Sequence, residues 1–185
     1  VGIIYAPISL VRFGLAFESG YKVAADSVMR TRLPSAAPFS EATLDPEEPG
    51  GVVRFDLPMS VRVGVELRDE DHWRFELAWV WENWSVHDLL ELDVDEAVIR
   101  NVVGIGDYRL TKVEIPRYLT NTWSLRAGVE GKLPVELPVM LRGGFAYEPA
   151  AIEDEYLTAM SVDTDKVIMS TGVGVELWGV DFDFT

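Results

Sequence analysis

The sequence predicts an all-β protein, an antiparallel transmembrane β-barrel whose chain contributes one continuous segment, residues 1–185. Three observations carry the prediction. Large apolar residues alternate strictly with small or charged ones in six segments, the connections between them alternate between short and long, and no apolar run approaches the roughly 18 residues of a membrane helix. The stretch WRFELAWVWENWS, residues 73–85, shows the first point most clearly. Trp73, Phe75, Leu77, Trp79 and Trp81 fall on every second position, and Arg74, Glu76, Ala78, Val80 and Glu82 lie between them. In a strand these two sets point to opposite faces.

In chain order, a first strand runs up to a short join at Pro7 to Ser9. Val11, Phe13, Leu15, Phe17 and Tyr21 then alternate with Arg12, Gly14, Ala16, Glu18 and Lys22. Val61, Val63, Val65 and Leu67 alternate with Arg62, Gly64, Glu66 and Arg68, and the Trp-rich strand follows after a tight join at Asp69 to His72. Trp123, Leu125, Ala127 and Val129 alternate with Ser124, Arg126, Gly128 and Glu130, before a join at Lys132 to Pro138. Leu141, Phe145 and Tyr147 alternate with Arg142, Gly144, Ala146 and Glu148. Val173, Val175 and Leu177 alternate with Gly172, Gly174 and Glu176, and a turn around Gly179 leads into the start of an eighth strand at Asp181 to Thr185.

One set is therefore large and apolar, while the other mixes Gly or Ala with single Arg and Glu residues. A water-facing set is usually richer in Lys, Thr and Ser than in Gly, so the second set reads as a crowded interior in which Arg and Glu neutralise each other. The apolar set then faces lipid. Eight steps from Trp73 to Trp81 at ~3.3 Å give about 26 Å along the strand and ~20 Å vertically once tilted, which sets the two indoles near opposite membrane interfaces.

The long connections are expected at about residues 31–51, 85–121 and 152–166, on the cell exterior. They hold much of the acid, including Glu47 and Glu48, then Asp93, Asp95 and Glu96, then Glu153, Asp154 and Glu155. Pro46, Pro49, Gly50 and Gly51 mark the first as irregular, and VHDLLELDVDEAV in the second predicts a short helix.

Composition excludes several classes. The 31 acidic against 16 basic residues give a formal charge of −15, so the chain is not read as a nucleic-acid binder. Zero cysteines remove disulfides, thiolate metal sites and a thiol nucleophile. The chain begins without an initiator Met or an export leader, so it is read as processed or as part of a longer polypeptide.

With that map in place, a family resemblance is visible. LPMSVRVGVELRDEDHWRFELAWVWENWS, residues 57–85, resembles the signature strand pair of the FadL-type outer-membrane transporters of long-chain fatty acids and aromatic hydrocarbons. TWSLRAGVEGKLP, residues 122–134, and residues 141–177, with their Tyr-Glu-Pro, Asp-Glu-Tyr and Asp-Thr-Asp motifs, are similar to the family's later strands. The resemblance implies a fourteen-stranded monomeric barrel in the outer membrane of a Gram-negative bacterium. It implies passive transport of hydrophobic small molecules past an N-terminal hatch to a lateral opening, with outer-membrane lipid and lipopolysaccharide as the surroundings. This chain matches roughly the sixth to thirteenth strands. The hatch, the kinked strand of the lateral opening and the last strand have no match in it. A complete eight-stranded barrel is the rival account, but the five residues from Asp181 fall short of the roughly 9 to 11 that span a bilayer.

Signals for other chemistry are weak. His72 and His87 have no second His nearby, GIGDY at 104–108 lacks the strand, third Gly and helix of a dinucleotide site, and the acidic pairs lack calcium-loop spacing. No enzyme activity, metal or cofactor is expected. The candidate cargo contacts are the inward cations Arg12, Arg62, Arg126 and Arg142, any of which offers a partner to a carboxylate; pairing with Glu18, Glu66, Glu130 or Glu148 is the structural alternative for each. Leu33, Phe39, Leu89, Leu90 and Val98 are candidates for an apolar groove in the outer loops. A soluble β-barrel that carries lipid inside is the alternative function, and in it Trp73, Phe75, Leu77, Trp79 and Trp81 point inward.

Overall fold

The computed structural model describes residues 1–69, 72–135, 138–158, 162–178 and 180–185. The expected turns at Asp69 to His72, Lys132 to Pro138 and Gly179, and the outer connection at 152–166, each fall partly outside the described residues. Apart from single turns of 3-10 helix at Trp84–Val86 and Asp154–Tyr156, the regular structure is strand: β1 (Gly2–Ile8), β2 (Val11–Glu18), β3 (Tyr21–Val28), β4 (Thr43–Asp45), β5 (Gly50–Leu57), β6 (Ser60–Asp69), β7 (Trp73–Glu82), β8 (Leu89–Val102), β9 (Gly106–Pro116), β10 (Thr122–Lys132), β11 (Val139–Glu148), β12 (Lys166–Leu177) and β13 (Val180–Phe184).

These strands divide into two compact units. The first, Val1–Gly20 with Pro58–Ser85 and Leu119–Thr185, is a sheet in the order β1-β2-β6-β7-β10-β11-β12-β13, every neighbouring pair antiparallel. It is open, with β1 and β13 as its edges. All six alternating segments of the sequence lie in it. Tyr21 and Lys22 are the exception: β2 ends at Glu18, and these two residues open β3 in the other unit.

Register decides whether alternation within strands becomes two coherent faces. One row runs Tyr5–Phe13–Val65–Leu77–Ala127–Phe145–Met169, and the next outward row runs Ile3–Leu15–Val63–Trp79–Leu125–Tyr147–Val167. The apolar sets of seven strands therefore share one face. Phe13, Trp79 and Phe145 on it are 47%, 41% and 40% exposed. Leaving a large apolar side chain in water forfeits roughly 1.5–3 kcal/mol relative to burying it, so a continuous band of this kind demands an apolar medium. Trp81 extends the band, facing Val61 on one side and Trp123 on the other.

The second unit, Tyr21–Leu57 with Val86–Tyr118, holds β3, β5, β8, β4 and β9. β4, β8 and β9 lie in the segments expected as the first two long connections, whereas β3 precedes the first of them and β5 runs from Gly50 on past its expected end at residue 51. The helix expected from VHDLLELDVDEAV is overturned, because Leu89–Val102 is strand β8. Acidic residues and Leu favour a helix locally, but Leu90, Leu92 and Val94 also alternate with Glu91, Asp93 and Asp95. That period of two is what the partners reward. Leu90 meets Ile115, Leu92 meets Val113 and Val53, and Asp93 meets Lys112. β8 is irregular between Asp93 and Ala97, with Glu96 at φ 45°, and between Ile99 and Val102, with Asn101 at φ 58°.

Candidate functional site

The opposite face of the eight-stranded sheet is built from the small and charged set. One row reads Ile4–Gly14–Gly64–Ala78–Arg126–Ala146–Ile168, and the next reads Arg12–Glu66–Glu76–Gly128–Gly144–Ser170. The set is not uniformly small, since Ile4, Val80 and Ile168 also sit on it. A concavity of about 770 Å³ opens along this face, bordered by Gly14, Ala16, Arg62, Glu76, Arg126 and Gly128, with Ile3, Leu15, Val63 and Ala127 of the other set also on its edge. A Cβ added at Gly14 or Gly128 would meet nothing within 4 Å, so neither glycine is required by its neighbours. Both keep the wall thin.

Towards the short-turn end the same face carries a ladder of ion pairs. Glu66 lies 3.7 Å from Arg12 and 3.6 Å from Arg68, while Glu130 lies 3.3 Å from Arg74 and 3.2 Å from Arg142. Arg142 also pairs with Asp183 across β12, which passes between them as Gly174. A Cβ there would approach the Asp183 carboxylate to 2.7 Å and the Arg142 guanidinium to 3.2 Å, so any larger residue must push these two side-chain ends aside. Such pairs offset the desolvation of each charge and fix strand register, and exposed ones add little more than about 1 kcal/mol each.

Of the four inward cations named from sequence, three are therefore committed. Arg12 holds Glu66, Arg62 holds Glu18 at 3.4 Å, and Arg142 holds Glu130 and Asp183. Glu148, the fourth expected carboxylate, pairs with Lys166 at 3.0 Å instead of an arginine. Arg126 makes no ion pair or hydrogen bond among the described residues, and its direct cross-strand neighbours are Ala78 and Ala146.

The fold and the wall together admit comparison with known proteins. The family model for "Outer membrane protein transport protein (OMPP1/FadL/TodX)" matches residues 1–181. The chain belongs to that family. Its fold matches the crystal structure of a Pseudomonas aeruginosa FadL homologue with a TM-score of 0.73 at 18% identity, over 97% of this chain and 40% of that one. The chain thus spans less than half the length of the homologue. No curated protein sequence matches it.

Membership of the FadL family agrees with the sidedness of the sheet. In a soluble carrier the aromatic set would line the interior, whereas here the concavity lies along the small and charged face. The groove residues all fall in the second unit, and not on one surface. Leu90 and Val98 share a face, the one that also carries Val53, Leu92 and Val113, by their pairing with Ile115 and Arg109. Leu89 points to the other face, with Glu91 and Asp93, because alternate residues must. Leu33 and Phe39 are half-buried in the irregular segment between β3 and β4. Sequence reasoning missed Val23, Val53, Phe55 and Val113, which share one face across β3, β5 and β9 although Arg109 and Thr111 interrupt the alternation in β9.

The opposite face of this unit is salt-bridged. Lys22 pairs with Asp56 at 3.4 Å, Arg54 with Asp93, and Lys112 with Glu91 and Glu114 at 3.0 and 2.6 Å. The Lys112 ammonium accordingly has its pKa raised, by hydrogen bonds to Glu114 and then Glu91. His87 Nδ1 lies 2.8 Å from the Asp56 carbonyl oxygen, and its ring packs 5.5 Å from Phe55. His72 sits 3.1 Å from Asp69 with its side chain largely exposed.

Proposed function

We propose that this chain forms part of the wall of a multi-pass outer-membrane barrel through which hydrophobic small molecules pass passively, and that Arg126 contacts the polar end of the cargo. The observation that carries the reading is the register-locked separation of faces: an apolar band suited to lipid on one side, and on the other a wall of glycine and alanine around an unpaired cation. Hydrophobic cargo needs a path with room for its tail, and Gly14, Gly64 and Gly128 leave that room. It needs no catalytic group. Arg12, Arg62 and Arg142 then act as structural cations, since moving any of them to a cargo would strand a carboxylate.

Lipid and lipopolysaccharide surround the apolar band in this reading, the protein is a monomer, and the segments containing 31–51, 85–121 and 152–166 face outward. Leu33, Phe39, Leu89, Leu90 and Val98 remain candidates for the outer collecting surface, with Leu90 and Val98 favoured because they share a face. Cells whose outer membrane carries the intact protein should take up labelled long-chain fatty acid or alkylbenzene faster than cells without it. Thiol labels at engineered sites near Glu48, Asp95 and Asp154 should react on intact cells. Equal uptake with and without a correctly inserted protein would overturn the transport reading, and labelling only after the outer membrane is opened would invert the topology.

A further inference from the structure

Arg126 has a neighbour in the same condition. Glu76 pairs directly with Gly128 and Ala78 pairs directly with Arg126, which makes Glu76 and Arg126 diagonal neighbours on one face of β7 and β10. Both border the concavity. Among the described residues neither is engaged. The charges beside them are already spoken for, since Glu66, directly across from Glu76, is held by Arg12 and Arg68, and Arg62 is held by Glu18. Diagonal positions lie roughly 7–8 Å apart at the backbone, within joint reach of two long side chains. The sheet thus sets one free anion beside one free cation where nearly every other inward charge nearby is neutralised.

We propose that Glu76 and Arg126 together receive the hydroxyl of an uncharged, hydroxylated hydrophobic molecule, such as an alkylphenol or long-chain alcohol. This rests on the transport reading and narrows its cargo. A hydroxyl both donates and accepts: its hydrogen goes to a Glu76 carboxylate oxygen, and its oxygen accepts an N–H from the Arg126 guanidinium. One bridging oxygen spans about 5 to 6 Å between the two partner atoms, a separation that diagonal neighbours reach without moving the backbone. An ionised carboxylate gains Arg126 but meets Glu76 at close range with no counter-charge left over. A plain hydrocarbon leaves both poles unsatisfied. The pair therefore selects for a neutral head with an O–H.

The test compares 4-octylphenol, 4-octylbenzoate and octylbenzene, three molecules with the same tail, by equilibrium dialysis against the intact protein in nanodiscs, corrected for empty nanodiscs. At about pH 8 the phenol is neutral and the benzoate ionised. The phenol should bind about tenfold more tightly than the benzoate, the scale of one hydrogen bond to a charged group. Glu76→Gln should close that gap by strengthening benzoate binding, and Arg126→Gln should weaken both while leaving octylbenzene unchanged. Benzoate binding as tight as phenol in the unaltered protein, or a ratio unmoved by Glu76→Gln in a variant with normal heat-dependent gel mobility, overturns the pair's role. If none of the three molecules binds better than to empty nanodiscs, the transport reading itself is overturned, which separates the two failures.

Discussion

Tyr147 donates its phenolic hydrogen to Asp165 at 2.8 Å, and this bond fastens the chain leaving β11 to the chain entering β12. Asp165 also accepts the Ala150 N–H at 2.9 Å, and Asp163 accepts the Ala151 N–H at 2.6 Å and pairs with Lys166 at 3.0 Å. Ala151 in turn accepts both the N–H and the hydroxyl of Thr120, and Leu119 bridges Ile152, so the fastening reaches the segment leading into β10. The Asp-Thr-Asp motif is thus a clamp on the connection between β11 and β12.

The clamp has a pH dependence with a definite sign. Burial works against the charge on Asp163, but the Ala151 N–H and then Lys166 outweigh it and hold its carboxyl below the ordinary value. The Ala150 N–H and Tyr147 lower that of Asp165. A carboxyl whose folded pKa is depressed contributes stability above its unfolded pKa and loses it as pH falls through the folded one. Amide exchange at Ala150 and Ala151 should therefore stay protected from neutrality down to about pH 4 and lose protection below it. Asp163→Ala should expose the Ala151 amide at neutral pH. Unchanged protection in that variant would remove the clamp.

Two glycines on the inward wall should behave oppositely. Gly128→Ala adds a methyl where nothing lies within 4 Å, and should hold or raise stability by roughly 0.5–1 kcal/mol because glycine is a weak strand residue. Gly128→Phe should fold yet slow cargo entry. Gly174→Ala, by contrast, pushes on Asp183 and Arg142 and should lower the denaturant midpoint. A Gly128→Phe protein with unaltered uptake would place the cargo path elsewhere.

Glu130 joins two arginines from two neighbouring strands, so its loss should be felt more than that of a single surface pair. Glu130→Ala leaves Arg74 and Arg142 on either side of an empty position. With both arginines partly exposed, the expected cost is about 1–2 kcal/mol in unfolding free energy, read by denaturant titration of the intact protein in detergent. Adding Arg74→Ala should recover part of that cost, since the cation that has lost its ion-pair partner is then removed, whereas Arg142 keeps Asp183.

How much of this was legible in the sequence differs between the two units. Residues such as Leu77 and Ala78 announce their faces because a strand flanked by lipid on one side and a lumen on the other has no freedom in its pattern. Shifting by one residue exchanges the faces. The six segments and their order followed from that constraint, and so did the expectation that inward arginines meet inward glutamates, but not which arginine meets which glutamate. The second unit was harder. Its β8 mixes Leu with Asp and Glu in a pattern that suits helix as well as strand, and only its partners Val53, Val113 and Ile115 decide between them. Lone registers such as the Glu76–Arg126 diagonal cannot be read from a sequence, because they depend on which residue of β7 meets which residue of β10.

The most direct test of the central claim is the pair of adjacent substitutions Leu77→Arg and Ala78→Arg. Leu77 lies in the apolar row between Val65 and Ala127, and Ala78 in the inward row between Gly64 and Arg126. An arginine at mid-bilayer on a barrel's lipid face costs roughly 2–4 kcal/mol, whereas the same charge on the inward face meets water and Glu76. Folding yield of each intact variant into lipid vesicles, read by heat-dependent gel mobility, makes the comparison. Leu77→Arg should fold in much lower yield than Ala78→Arg. If Ala78→Arg is the more damaging, the two faces are exchanged, and Trp73, Trp79 and Trp81 line the interior of a soluble carrier.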